Sequence, residues 1–240
     1  MTKNNLVILI TLLVTVCIVT LAIFLNVKNV ENVKNQQIGT TTSKTGTENN
    51  TNDEGIITEE NSEEINNKEE KSMYSEGIHH ASIVIKDYGT IKIELDANTA
   101  PITVANFAKL VNEGFYNGLT FHRIIDGFMI QGGDPLGNGF GGSDENIKGE
   151  FSINGVKNNI SHKRGVISMA RSNDYNSASS QFFIVHEDST FLDGQYAGFG
   201  RVLEGIEIVD KICEDTKVED GNGTVLKSNQ PIIEKITMDD

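Results

Sequence analysis

The sequence predicts a mainly β protein: a closed or nearly closed antiparallel barrel capped by two helices, preceded by a membrane-spanning segment and a disordered linker. Two observations indicate the barrel. Many short segments alternate between apolar and polar residues with a period of two, and only two segments show the spacing of amphipathic helices. A third observation, a long uncharged run near the amino terminus, indicates the membrane-spanning segment.

The predicted strands fall into hairpins and single segments. Residues 81–86 and 90–95 both alternate, and a turn-forming tripeptide lies between them. Asp126-Gly127 is a strong tight-turn signal between two more strands, because Gly accepts a positive φ at no steric cost. The remaining predicted strands are residues 120–125, 128–131, 165–170, 181–185, 197–202 and 232–238.

Two helices are predicted to cover the barrel. The first spans residues 101–113, with Thr99 as its cap, Pro101 in its first turn and Gly114 at its end. The second spans residues 204–214. Each has one apolar stripe: Val104, Phe107, Leu110 and Val111 in the first helix, and Ile208, Val209 and Ile212 in the second.

Residues 1–27 are predicted to be a transmembrane anchor, because residues 6–25 carry no charge and about twenty apolar residues span a bilayer core. A cleaved signal peptide and a buried core helix are the alternatives. The apolar region of a signal peptide is usually about 7–15 residues long and ends near small residues, whereas this run is longer and offers no such site. The flanking lysines do not decide the orientation: Lys3 on one side, Lys28 and Lys34 on the other.

Residues 28–77 are predicted to be a disordered acidic linker. They are rich in Asn, Thr, Glu, Lys and Ser, with Tyr74 as their first aromatic, so they cannot bury enough apolar area to offset the entropy of ordering. As a flexible coil of roughly 50 residues, the linker would span about 40 Å on average. The barrel domain is predicted at residues 78–240. The net charge of −14 argues against binding to nucleic acid.

The predicted hairpin around Asp126-Gly127 contains one cation, large apolar side chains and an uncharged amide: Arg123, with Phe121, Phe128, Met129 and Gln131. An Arg among apolar strand residues either extends into solvent from a sheet edge or reaches an open cleft. A second stretch, residues 179–185, favours the open cleft over the solvent-exposed sheet edge as the position of Arg123.

Other candidate motifs give no catalytic assembly. Residues 137–142 match G-x-G-x-x-G, but an acidic segment follows where a dinucleotide site needs an apolar helix, so we predict a flexible loop. The five histidines lack metal-ligand spacing, and Ser179 and Ser180 lie in no nucleophile-elbow context. Cys17 and Cys213 give no disulfide framework. A reaction here would therefore need no nucleophile, base or metal.

Rotation about an X–Pro peptide bond is such a reaction. Its barrier of about 18–20 kcal/mol comes from amide resonance, and no covalent bond forms or breaks. As the C–N bond twists, the prolyl nitrogen regains a lone pair that can accept a hydrogen bond. A fixed guanidinium such as that of Arg123 would stabilise the twisted state more than either planar state, while an apolar pocket holds the proline ring.

Several motifs together resemble the cyclophilin-type peptidyl-prolyl isomerases, in family order, over about residues 80–238. They are Phe121-His122-Arg123-Ile124-Ile125, Gly127-Phe128-Met129, Gln131-Gly132-Gly133-Asp134, Ser180-Gln181-Phe182-Phe183-Ile184, Leu192-Asp193-Gly194 and Phe199-Gly200. The resemblance implies an eight-stranded antiparallel barrel closed by two helices, an isomerase of proline-containing polypeptides, and no cofactor.

The resemblance also implies roles for individual residues. Arg123 is the expected catalytic cation, supported by Gln131, with Phe128 beside it. The expected substrate-binding residues line a proline pocket and a peptide groove: Phe121, Met129, Gly139, Ala170, Arg171, Gln181, Phe183, Phe191, Leu192 and Tyr196. The alternative is a binding module that holds proline-containing peptides without catalysis. The intact set of Arg123, Gln131 and Phe183 favours catalysis.

Three positions depart from the pattern of many family members. Phe191 stands where many have Trp, Tyr196 where many have His, and Arg171 follows Met-Ala where Asn is common. Because Phe191 lacks an indole N–H, we expect weak binding of cyclosporin, the cyclic peptide that many cyclophilins bind in this groove. Anchored members of this kind usually assist exported proteins. We therefore expect a monomeric, single-pass membrane protein with its barrel outside the cytoplasmic membrane.

Overall fold

The computed structural model of this protein describes residues 73–240. The predicted anchor at residues 1–27 lies outside the described residues, and so does the predicted linker up to residue 72. Within the described residues, no helix combines the length and the apolar composition that crossing a bilayer requires.

The described chain contains one eight-stranded antiparallel sheet and two helices. The strands are β1 (Ile78–Ile85), β2 (Gly89–Asp96), β3 (Phe121–Ile125), β4 (Met129–Gly132), β5 (Val166–Met169), β6 (Phe182–Val185), β7 (Gly198–Glu204) and β8 (Ile233–Met238). The helices are α1 (Pro101–Asn112) and α2 (Ile206–Asp215). Neighbouring strands follow the order β3-β4-β6-β5-β7-β2-β1-β8. Every predicted strand and helix overlaps one of these elements.

The sheet curls so that its two edge strands approach each other at one end. An isolated bridge joins Thr120, just before β3, to Ile232, just before β8. The Phe121 N–H also donates to the Pro231 carbonyl at 3.0 Å. Residues 73–240 contain no continuous ladder between β3 and β8. The established architecture is therefore a curled half-barrel, and the full closure that the sequence predicts is not seen.

Helix α1 places one aromatic ring at the centre of the hydrophobic core. Phe107 is fully buried, and its ring centroid lies 5.2 Å from that of Tyr116, 5.7 Å from that of Phe182 and 5.3 Å from that of Phe199. Tilted and edge-to-face rings at such distances stabilise a core beyond their buried area. The inward side chains of β1 and β2 complete this core: Ala81, Ile83, Ile85, Ile91, Ile93 and Leu95.

The amino terminus of α1 is capped from a distant part of the chain, and the prediction of Thr99 as its cap is wrong. The Thr99 hydroxyl donates to the Asp96 carboxylate at 2.7 Å and makes no cap hydrogen bond. The buried carboxylate of Glu150 instead accepts hydrogen bonds from two helix N–H groups, at 3.1 and 2.8 Å, and from the Thr103 hydroxyl at 2.7 Å. Local sequence could not reveal this cap, because Glu150 follows Thr103 by 47 residues.

The predicted linker of residues 28–77 includes Tyr74, which the structure packs against the domain. Tyr74 is 8% exposed and belongs to the main core. Its hydroxyl donates to the Asp240 carbonyl at 3.1 Å, and its ring meets that of His79 edge-on at 5.0 Å. One aromatic side chain is enough to dock the end of a polar segment. A fragment meant to contain the whole domain should therefore include Tyr74.

We expect Glu150→Ala to lower the free energy of unfolding by about 2–3 kcal/mol, because it leaves buried donors at the start of α1 without an acceptor. Denaturant unfolding of the domain measures this loss. The matched control is Glu145→Ala, since Glu145 forms an exposed ion pair with Lys109 of the same helix at 3.2 Å. We expect that control to change stability by less than about 0.5 kcal/mol. Equal effects of the two variants would contradict the capping role of Glu150.

Candidate functional site

The register of three strands places Arg123, Gln131 and Phe183 side by side. Arg123 of β3 pairs with Gln131 of β4, and Gln131 pairs with Phe183 of β6. Side chains of residues paired across antiparallel strands point to the same face of the sheet. This face lines an open groove of about 870 Å³. The hairpin that contains Arg123 and the second stretch, residues 179–185, are therefore neighbours in the fold.

The Arg123 guanidinium is held by neutral oxygens. Its Nε–H donates to the Asn222 carbonyl at 2.8 Å, and its two terminal nitrogens donate to the side-chain oxygens of Asn222 at 3.2 Å and Gln131 at 3.3 Å. The side chain is half-buried, and this burial lowers the pKa of Arg123 from its ordinary value. Arg remains charged in proteins, so the groove contains a fixed positive charge.

A chain of amides fixes Gln131 in turn. The Gln131 amide nitrogen donates to the Gln181 side-chain oxygen at 2.9 Å. The Gln181 amide nitrogen donates to the carbonyls of Gly139 at 3.1 Å and Gly141 at 2.7 Å. Gln181 lines an adjoining cavity of about 440 Å³ rather than the main groove. Gln181 thus holds the side chain of Gln131, and its predicted contact with substrate stays a prediction. Gly139 borders both cavities.

Sequence reasoning missed Asn222, which contacts Arg123 through two of its atoms. Asn222 lies in a turn that the Asp220 carboxylate organises, accepting from the Asn222 N–H at 3.0 Å and from the N–H and hydroxyl of Thr224 at 3.1 and 3.0 Å. These hydrogen bonds, those from Thr224 foremost, lower the pKa of Asp220. The segment Asp-Gly-Asn-Gly at residues 220–223 signals such a turn, but not its contact with β3.

Apolar side chains next to Arg123 form a small cluster on the outer face of the sheet, which we call the outer cluster. Its buried members are Met129, Val166, Phe183, Val185 and Leu192, with Phe128, Ala170 and Tyr196 packed against them. The predicted proline-pocket residues are thus brought together. Phe191 is 65% exposed at the mouth of the groove, with its ring centroid 5.5 Å from that of Phe128.

A buried histidine supports the outer cluster from behind. The His162 ring stacks on Phe183 with centroids 6.1 Å apart, and its two nitrogens meet Asp193 at 2.9 Å and Ser168 at 3.0 Å. Burial lowers the pKa of His162, although the hydrogen bond to Asp193 acts in the opposite direction. The neutral ring therefore holds Phe183 in place without adding charge to the groove.

The prediction that Phe121 binds substrate is wrong. Phe121 is fully buried in the main core, with its ring centroid 6.2 Å from that of Phe182. Strict alternation would put Phe121 and Arg123 on the same face, but the register of β3 against β4 shifts between them. Such a bulge turns the preceding side chain to the other face. A β-bulge of this kind has no clear signature in the sequence.

The same irregularity brings His122 into the lining of the groove. His122 is 5% exposed, and within the described part of the chain neither ring nitrogen has a hydrogen-bond partner. Burial lowers the pKa of His122, the nearby Asp134 carboxylate raises it, and Arg123 lowers it further. Nothing in the spacing of the five histidines distinguishes His122 from the other four.

In the glycine-rich segment, residues 137–140 line the main groove and residues 139–142 line the adjoining cavity. The segment leads into no helix in the described chain. The buried Asp134 carboxylate accepts from the N–H groups of Leu136 at 2.8 Å, Asn138 at 2.9 Å and Gly139 at 2.6 Å. Burial would raise the pKa of Asp134, but these bonds outweigh it and lower the pKa. The segment is therefore tied to Asp134.

Asp126, His186 and Cys213 lie together behind the β3–β4 turn, with potential ligand atoms within 4.8 Å of one another. The His186 ring already has partners on both sides: Nδ1 accepts from the Gly127 N–H at 3.0 Å, and Nε2 meets Asp210 at 3.0 Å. Burial raises the pKa of the Cys213 thiol to about 12. These contacts attach the turn to α2.

The sequence matches the family described as "Cyclophilin type peptidyl-prolyl cis-trans isomerase/CLD" over residues 80–238. Among curated relatives, peptidyl-prolyl cis-trans isomerase B of Bacillus subtilis (strain 168) is 44% identical over 144 residues, which is 60% of this chain and 92% of the relative. A peptidyl-prolyl cis-trans isomerase of Helicobacter pylori (strain ATCC 700392 / 26695) is 45% identical over 133 residues, 55% of this chain and 78% of the relative.

Solved structures show the same likeness. A cyclophilin type peptidyl-prolyl cis-trans isomerase of Cryptosporidium parvum, crystallised in the presence of the dipeptide Ala-Pro, aligns with a TM-score of 0.59 at 31% identity. The alignment covers 67% of this chain and 99% of that protein. A second crystal structure of that protein aligns with a TM-score of 0.60 at 30% identity, covering 68% of this chain and 99% of that one.

Proposed function

This chain belongs to the cyclophilin-type peptidyl-prolyl cis-trans isomerases, and from that premise we propose how it rotates X–Pro bonds. The Arg123 guanidinium stabilises the twisted amide, while the outer cluster holds the proline ring. Membership of the family establishes the class of reaction. The roles of individual residues are proposed from the geometry of the groove.

One observation carries this mechanism: Arg123 is fixed, but its charge is not neutralised. Only neutral oxygens of Asn222 and Gln131 hold the guanidinium, and no carboxylate forms an ion pair with it in the described chain. Asp220 acts one step away, by shaping the turn that carries Asn222. A preorganised donor that keeps its full charge stabilises the nitrogen lone pair that develops as the amide twists.

The outer cluster suits the other requirement of the reaction. A proline ring needs only apolar contact, and Met129, Phe183 and Leu192 offer a buried apolar surface beside the guanidinium. Holding the ring while the acyl group turns in the open groove lets one side of the bond rotate against the other. Because no bond forms or breaks, the site needs no nucleophile or cofactor for this step.

We expect Arg123→Ala to lower kcat/KM for an Ala-Pro peptide at least about a hundredfold, since one preorganised donor is worth about 3 kcal/mol of transition-state stabilisation. NMR exchange rates between the cis and trans peptide measure this change. Arg201→Ala is the control, because Arg201 is exposed and paired with Glu94 at 3.1 Å outside the groove. A folded Arg123→Ala protein with near-full activity would remove Arg123 from the mechanism.

The same experiment separates catalysis from simple peptide binding. A binding module would hold the peptide in the groove without raising its exchange rate. The isomerase proposal requires rate enhancement at catalytic amounts of the unaltered protein. Binding without enhancement would favour the alternative that the groove only captures proline-containing segments.

We also propose that the chain is a monomeric, single-pass membrane protein that assists the folding of exported proline-containing polypeptides. The support is the uncharged run at residues 6–25 and the acidic, polar segment that follows it. Protease added to intact cells tests this arrangement: we expect the domain to be cleaved from the anchor without cell lysis. Protection of the domain until lysis would place it on the cytoplasmic side.

We expect Phe191→Trp to raise cyclosporin affinity roughly five- to a hundred-and-fiftyfold, because an indole N–H at this position would pair a drug carbonyl that Phe191 leaves desolvated. Phe191 is exposed at the mouth of the groove, which leaves room for the larger ring. Titrating both proteins with the drug in one isomerase assay gives the inhibition constants, and turnover should agree within a few-fold. Equal constants would show that the missing donor does not matter.

A further inference from the structure

The arginines of this acidic chain divide into two kinds. Arg164 is paired with Asp210 at 2.7 Å, and Arg201 is paired with Glu94 at 3.1 Å. Arg123 and Arg171, the other two, have no carboxylate partner in the described chain, and both line the main groove. The net charge of −14 means that acidic side chains outnumber basic ones in this chain. The lack of a carboxylate partner is therefore particular to Arg123 and Arg171.

Carboxylates are absent from the whole lining of the site. Among the described residues, neither the main groove nor the adjoining cavity is lined by any Asp or Glu. The main groove is lined by three cationic side chains: Arg123, Arg171 and Lys227. Arg171 lines both cavities, which also share Gln131. The groove is thus a positively charged region on a negatively charged protein.

The Arg171 guanidinium is held rigidly without being neutralised. Its central carbon lies 4.6 Å from the ring centroid of Tyr196, 5.0 Å from that of Tyr175 and 5.2 Å from that of Phe151. Two of its nitrogens donate to backbone carbonyls, of Gln195 at 3.0 Å and Ser172 at 2.8 Å. A guanidinium has five N–H donors, so further donors are free to receive an anion. Fixing the side chain in advance reduces the entropy lost on binding.

We propose that Arg171 is a carboxylate-binding subsite, and that the protein prefers X–Pro segments with an Asp or Glu side chain within three residues of the proline. This inference rests on the proposed isomerase function. Arg171 follows Ala170 in the chain and stacks on Tyr196, and both of these residues belong to the outer cluster. A residue flanking a proline bound to that cluster can therefore reach the Arg171 guanidinium. The carboxylate accepts hydrogen bonds from the free N–H groups, as in other Arg–carboxylate pairs.

The test compares paired peptides that differ only by Glu or Gln at one position near an Ala-Pro bond, scanned over three residues on each side. We expect the full chain to turn over the best Glu peptide about three- to tenfold faster than its Gln partner, measured as kcat/KM, as for a partly exposed ion pair. The preference should shrink between low and high salt, because ions screen it.

Variants assign the preference to one side chain. Arg171→Gln should bring the Glu/Gln ratio close to one, and Arg171→Lys should keep part of it. Arg201→Gln, which removes a paired arginine outside the groove, should keep the full ratio. A preference that survives Arg171→Gln would overturn the assignment to Arg171.

Two further outcomes separate this inference from the proposed function. Equal turnover of Glu and Gln peptides at every position, in an active protein, would overturn the subsite and leave the isomerase mechanism standing. Failure to accelerate any peptide, acidic or neutral, would contradict the mechanism itself, and the subsite with it.

Discussion

The proposed mechanism depends on keeping one guanidinium both fixed and charged. A carboxylate against Arg123 would hold it firmly, but in that mechanism it would offset the charge that acts on the twisting amide. The structure uses neutral oxygens of Asn222 and Gln131 instead, and the Asp220 carboxylate is hydrogen-bonded within the turn that positions Asn222. The strand register, the amide chain from Gln131 to Gln181 and the 220–223 turn all satisfy this requirement.

The apolar half of the site follows from the shape of the sheet. Inward side chains of β3, β4 and β6 belong to the main core of the half-barrel. Their outward side chains have no second sheet to pack against in the described chain, and they form the outer cluster around Met129 and Phe183. The His162 ring, stacked on Phe183 and bound to Asp193, supports this cluster from behind. An apolar pocket therefore lies beside the guanidinium.

Sequence reasoning succeeded where the determining interactions are local. Period-two alternation located the strands, the Asp126-Gly127 turn paired β3 with β4, and Arg123 stood out as the one cation in that hairpin. It failed where a partner comes from elsewhere in the chain or where alternation breaks. Glu150 caps α1 from a distant loop, Tyr74 docks the end of a polar segment, and a bulge turns Phe121 into the core.

The most direct test of the central claim is a crystal structure of the protein bound to a short peptide containing Ala-Pro. The mechanism predicts the proline ring against Met129, Phe183 and Leu192, and an Arg123 N–H directed at the prolyl nitrogen within hydrogen-bond reach, about 2.6–3.2 Å between nitrogen atoms. It also predicts that Asn222 and Gln131 still hold the guanidinium. A proline ring bound away from the outer cluster, or Arg123 turned away from the prolyl nitrogen, would contradict the account.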